Sequence, residues 1–172
     1  MNKRFQEHAI GYEFREGRFI RITSNYLHSD TVAPAITVLH EAYLAGANQE
    51  FSRAHEHYRH QRYPECLNEC LKAFESTMKA ICDKRGWPYN QTATASQLMD
   101  VCRQHNLFPA YMETSLSGLR SALMNVATVR NKLSGHGQGS LQIQVTEETA
   151  AYMLHSTAAN ILFLTAREKL LP

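Results

Sequence analysis

Arg130 and His136 are the residues whose types and spacing most directly suggest chemistry. At about 100° per residue, Leu116, Leu119, Leu123, Val126 and Leu133 form one apolar stripe on a helix predicted over 114–134. Arg130 lands near the middle of that stripe, and Asn131 points well away from it. A guanidinium among leucines is costly unless it snorkels, meets an anion or faces a wet groove at an interface. His136 follows the predicted helix end, between Gly135 and Gly137. Those glycines keep the backbone open, so a ligand can approach the imidazole closely. The negative end of the helix favours the imidazolium form. A fixed cation and a titratable ring therefore meet at one helix C-terminus.

The elements that must position this pair are mostly helical. Residues 10–22 read as a small β-hairpin, with aromatic and β-branched residues flanking Glu16-Gly17. Glu-Gly is a weaker turn signal than Asn-Gly, so the register stays open. Such a ribbon is marginal alone and must lie on the helices that follow. Residues 31–44 carry Val32, Ile36, Leu39 and Tyr43 at helical spacing, with Pro34 in the first turn and Gly46 expected to end the helix. A second helix, rich in His and Arg, is expected over 48–60. Pro64 opens a long one to about Lys84, closed by Gly86 and Pro88, with Glu75 and Lys79 as a favourable i,i+4 pair on its polar face. Thr94 caps a short helix through Gln104, and Thr146 caps the last helix, with Glu147 and Glu148 suited to its positive end. The fold class is all-α, a helical bundle over 31–170 with an N-terminal β-hairpin, in one domain spanning 1–172.

Composition narrows the function class. The chain has 172 residues, 44% hydrophobic and 20% charged, with a net charge of +2, which permits a polyanionic partner without demanding one. Cys66, Cys70, Cys82 and Cys102 form no CxxC motif and read as reduced core residues. The most apolar tract, 150–166, is interrupted by His155, Ser156, Thr157 and Asn160 and reads as a buried helix, so no membrane association is expected. The first residues lack the apolar region of an export signal, which points to a cytoplasmic location.

An Arg, a polar residue and then a His after four to six positions, late in a helical domain, resembles the signature of the HEPN superfamily. The segments Ala54-His55-Glu56-His57-Tyr58-Arg59, Glu65-Cys66-Leu67-Asn68-Glu69-Cys70-Leu71-Lys72-Ala73-Phe74-Glu75 and Val129-Arg130-Asn131-Lys132-Leu133-Ser134-Gly135-His136-Gly137 resemble the C-terminal domain of abortive-infection (Abi-C-like) proteins. The likeness extends from about residue 10 to 170.

The resemblance implies a metal-independent endoribonuclease, often a toxin or antiphage effector, acting on RNA as a homodimer whose Arg and His share an intersubunit cleft. Carried over, His136 exchanges protons with the ribose 2′-OH or the leaving 5′-oxygen, and Arg130 stabilises charge developing on the phosphorane. Asn131 orients one of these groups or a phosphate oxygen. Lys132, Ser134, Gly135 and Gly137 surround them, and Glu75, Lys79 and Arg59 are candidate supporting residues. The products are a 2′,3′-cyclic phosphate and a 5′-hydroxyl, and neither a metal nor a cofactor is expected. Many active members keep the His within the helix, whereas the glycines here put it in a loop. The alternative is a non-catalytic HEPN module that binds a nucleotide or a partner protein, such as an antitoxin or effector subunit. A third reading is a regulatory fragment of a longer effector.

Rival sites are weaker. Residues 53–62 form the most basic segment, either a groove for RNA phosphates with Tyr58 and Tyr63 stacking on bases, or a solvated helix face. His55 and His57 stand at i,i+2, unlike the i,i+4 pair of a zinc helix. His155 reads as a hydrogen-bonded core or interface histidine. No P-loop, GxGxxG or recognisable nucleophile context occurs, and the glycine-rich loop after residue 134 follows a helix instead of preceding one.

Overall fold

The computed structural model describes residues 1–7, 11–22, 28–109, 111 and 145–172. The predicted helix 114–134 and the loop after it lie outside the described residues. The described part is helical apart from a two-stranded antiparallel hairpin.

Helix α1, Asn2–Glu7, is too short to leave a periodic signal in the sequence. Asn2 fixes the hairpin to it. Its Nδ2 donates to the Phe14 carbonyl, and its Oδ1 accepts from the Phe14 amide, both at 2.7 Å. Strands β1, Tyr12–Arg15, and β2, Arg18–Arg21, join through Glu16 and Gly17 at φ +49° and +78°. Positive φ at both central positions matches the twist of the flanking strands and settles the register: Tyr12 opposes Arg21, Phe14 opposes Phe19 and Arg15 opposes Arg18. Alternation places Glu13, Arg18 and Ile20 on one face of the ribbon. Ile20 is buried in the core, and Glu13 pairs with His28.

A π-helical turn, His28–Val32, runs into α2, Ala33–Leu39. The expected helix to Leu44 is broken at Glu41, whose backbone is extended (ψ 134°), and a 3-10 turn follows at Ala42–Leu44. Helix α3, Ala45–Arg59, then begins before Gly46. The expectation that Gly46 ends a helix is therefore corrected. A glycine in a first turn costs little, because the amides there have no intrahelical partner to lose.

Helix α4, Tyr63–Arg85, has Pro64 in its first turn and ends on Gly86 at φ +68°. There the Trp87 amide donates to the Cys82 carbonyl at 2.8 Å and that of Gly86 to Asp83 at 3.2 Å, so two terminal carbonyls are satisfied. Helix α5, Ala95–Gln104, starts from a capping box in which Thr94 and Gln97 serve each other's amides. In helix α6, Glu147–Lys169, Thr146 accepts from the Thr149 amide at 3.4 Å, with Glu147 and Glu148 in the first turn and Arg167 and Lys169 in the last.

Two apolar clusters hold these helices together. One joins Ile20, α2, α3 and the first halves of α4 and α6, and contains Cys66 and Cys70. The other joins the second half of α4 to α5, Leu107, Phe108 and Leu164, and contains Cys82 and Cys102. All four thiols are free and buried, as the sequence suggests. Among the described residues no helix is long and apolar enough to cross a membrane.

Candidate functional site

Arg130, Asn131, Lys132, Ser134, Gly135, His136 and Gly137 lie outside the described residues. Their flanks are well anchored. On the entering side Leu107 and Phe108 are buried, and Arg167 Nε donates to the Leu107 carbonyl at 3.1 Å. On the returning side Thr146 caps α6, and Glu147 accepts from Tyr58 at 3.2 Å and Tyr63 at 3.3 Å. Arg21 reaches the same carboxylate at 3.0 Å and lies over the Tyr58 ring, 5.5 Å from its centroid. The two anchors grip opposite ends of α6.

These contacts correct one reading of the basic segment. Tyr58 is only 1% exposed and Tyr63 is half-buried, with ring centroids 5.8 Å apart and both hydroxyls on Glu147. Burial, with the Glu147 carboxylate beside it, pushes the Tyr58 phenol well above its ordinary range. The Tyr58 ring presents no free face for a base, because it continues the apolar stripe of Phe51 and Ala54 into the core, whereas Tyr63 keeps partial exposure.

Glu75 and Lys79 also find partners other than each other. Glu75 Oε1 accepts from the Ala95 amide at 3.1 Å, so the carboxylate sits at the positive end of α5. Lys79 Nζ donates to the Gln91 carbonyl at 2.9 Å. Amides and carbonyls of a connecting segment have no regular partners of their own, so both long side chains turn towards it. In place of the expected i,i+4 pair, the two residues fasten α4 to the segment leading into α5.

Arg59 belongs to a different feature, a cleft of about 410 Å³ between the hairpin and α3. Arg18 and Ile20 of the ribbon line it from one side, with Ser52, Arg53, His55, Glu56 and Arg59 of α3 on the other. Arg18 donates to Ser52 across the opening. Arg53 Nε donates to Glu69 at 2.8 Å, and Lys72 binds the other oxygen of that carboxylate at 2.7 Å. Burial would raise the Glu69 pKa, but the hydrogen bonds from Lys72 and Arg53 outweigh it and hold the carboxyl below its usual range.

His55 is the unusual residue of this cleft. It is 5% exposed and packs edge-on against Phe51, centroids 4.8 Å apart at 89°. Among the described residues neither ring nitrogen has a hydrogen-bond partner, and the buried Nε of Arg59 is unpartnered there too. A buried polar group left unpaired costs about 1–3 kcal/mol. Burial, reinforced by His28 and His155, lowers the His55 pKa to about 3, so the ring is neutral at pH 7. In the sequence His55 stands within a basic stretch and at i,i+2 from His57. Its position four residues after Phe51 and three before Tyr58 was the available signal that it faces inward. His155 is half-buried on α6, with its pKa lowered by burial and by His28. Among the described residues no group of three or more His, Cys, Asp or Glu side chains could hold a metal ion.

No curated protein and no solved structure matches the chain. The Abi_C family model, described as a HEPN-like domain, matches residues 45–168. That span takes in α3 to α6 and the Arg130–His136 segment, and the chain belongs to this HEPN-like family.

Proposed function

We propose that this abortive-infection-related HEPN protein is a metal-independent endoribonuclease, acting in the cytoplasm as a toxin or antiphage effector. The reading takes 1–172 as one domain that works as a homodimer, with Arg130 and His136 at the intersubunit cleft. One observation carries it: the family match runs through Arg130-Asn131-Lys132-Leu133-Ser134-Gly135-His136, where an Arg–His pair falls late in a helical domain. His136 exchanges protons with the ribose 2′-OH or the 5′-oxygen, while Arg130 offsets charge building on phosphorus. Asn131 orients a reacting group. Lys132, Ser134, Gly135, Gly137, Glu75, Lys79 and Arg59 are the substrate-binding or supporting residues of this reading. The products are a 2′,3′-cyclic phosphate and a 5′-hydroxyl.

A second reading is a non-catalytic HEPN module that binds a nucleotide, an antitoxin or another partner protein. The glycines on both sides of His136 favour it, because an imidazole on such a loop is less firmly held than catalysis requires. The deciding experiment incubates the purified chain with mixed RNA in EDTA, alongside His136→Ala and Arg130→Ala. Cleavage that survives EDTA and disappears in both variants supports the nuclease; equal cleavage by all three proteins sinks the site assignment. Absence of cleavage by the wild type favours the binding module.

A further inference from the structure

We propose that the cleft between the hairpin and α3 is a binding site for a small phosphorylated polyol, with its phosphate on Arg18 and Arg59 and a hydroxyl on His55. Of its lining residues Arg59 alone is also proposed to support the Arg130–His136 segment, and binding in the cleft does not depend on ribonuclease activity. Three observations point to a ligand. The cleft, about 410 Å³, falls in the range of small-molecule sites. Its charged lining is Arg18, Arg53 and Arg59 against Glu56 alone, and Arg53 already shares Glu69 with Lys72. Arg18, on the ribbon, donates to Ser52, and Arg59, at the end of α3, has its Nη2 3.2 Å from His60 Nε2. Among the described residues neither guanidinium meets a carboxylate, so these two cations are open to an anion.

The third observation selects the rest of the ligand. His55 is almost wholly buried, yet it lines the cleft, and neither of its nitrogens has a partner among the described residues. The Arg59 Nε is in the same condition. A neutral imidazole offers one N–H donor and one acceptor nitrogen. A hydroxyl group is likewise both donor and acceptor, so an alcohol answers the ring where a bare anion would meet only its N–H. Guanidinium groups meet phosphate oxygens through paired donors. One small molecule carrying phosphate and hydroxyl thus answers the two guanidinium groups and the His55 ring together.

The test uses the full chain at pH 7 with ribose 5-phosphate, free ribose and inorganic phosphate as calorimetric probes. Imidazole ¹⁵N shifts provide a separate readout of His55. Ribose 5-phosphate is expected to bind at least tenfold more tightly than either fragment and to move both His55 nitrogen resonances. Arg18→Gln, on the exposed ribbon, and Arg59→Gln should each weaken binding about tenfold. His136→Ala should bind the sugar phosphate as the wild type does, whether or not RNA is cleaved. No binding at millimolar ribose 5-phosphate overturns the proposal, as does binding unchanged in the Arg18→Gln, Arg59→Gln double variant. Phosphate alone binding as tightly, with His55 resonances unmoved, removes the polyol assignment. Thermal melting of each variant confirms that it is folded, and the exposed Arg18→Gln keeps the test open should Arg59→Gln unfold.

Discussion

Tyr58, buried on α3, donates its phenolic hydroxyl to Glu147 at the first turn of α6, 3.2 Å away. With Tyr63 and Arg21 on the same carboxylate, this contact joins the hairpin, α3 and α4 to the point where the chain returns from the Arg130–His136 segment. The start of α6 is therefore held by residues far from it in sequence. Tyr58→Phe retains the packed ring and removes only the hydroxyl. It should destabilise the protein by about 1 kcal/mol, which for a chain of this size lowers Tm by roughly 2–4 °C. Urea denaturation followed by circular dichroism checks it, and no change in midpoint would show that the contact contributes nothing.

Glu168 holds the other end of α6. It is 1% exposed and receives Lys84 at 2.9 Å and Arg85 Nε at 2.7 Å. Burial would raise its pKa, but the hydrogen bonds from Lys84 and Arg85 outweigh it and depress the value below the ordinary 4.5. A depressed carboxylate stabilises the fold above its unfolded pKa, and that contribution is lost as pH falls through the folded value. Glu168→Gln should cost roughly 1.5–3 kcal/mol at pH 7, the worth of a charge-assisted hydrogen bond, because it leaves Lys84 and Arg85 facing an uncharged group. Below pH 4.5 the gap between wild type and variant should close. Denaturation midpoints measured from pH 7 to pH 3 follow this directly; a constant gap across the range would contradict it.

At the start of α5, Glu75 accepts from the Ala95 amide. Replacing the carboxylate with a methyl group should cost about 1 kcal/mol, the usual worth of a helix-terminal acceptor. Glu75→Gln should recover part of the loss, since its amide oxygen still accepts but brings no charge to the helix dipole. Hydrogen exchange at Ala95 is the local readout: faster in Glu75→Ala, intermediate in Glu75→Gln. Equal exchange in all three proteins would remove this role.

For the proposed nuclease, His136→Ala and Arg130→Ala should each slow cleavage by about 10²–10⁴-fold, the range of positioned proton transfer and of oxyanion stabilisation. Initial rates on a short fluorogenic RNA in EDTA give the number, and end-group analysis should find a 2′,3′-cyclic phosphate. Sedimentation should give a mass of two chains. A strict monomer that cleaves at the full rate would contradict the intersubunit cleft.

Local chemistry made much of the fold legible. Pro64, Gly86, Thr94 and Thr146 act through their own φ preferences or through partners within a few residues, so the boundaries of α4, α5 and α6 could be read directly. Gly46 misled because the same residue type serves a helix start and a helix end, and neighbouring contacts decide between them. The turn at Glu16-Gly17 was readable as a turn, but its register needed the pairing of Phe14 with Phe19 and Ile20's burial.

By itself the sequence determined the helical class, the hairpin, the caps and the Arg130–His136 motif, all written in short-range spacing and residue type. Only the tertiary structure decided which polar groups are sealed. It put Tyr58 and Glu168 into ion-paired or hydrogen-bonded anchors, turned Glu75 and Lys79 to the segment before α5, and left His55 neutral beside a cleft and unpartnered among the described residues. The reason is physical: burial and hydrogen-bond partnership depend on segments that meet across the fold, and no local window of sequence contains both partners.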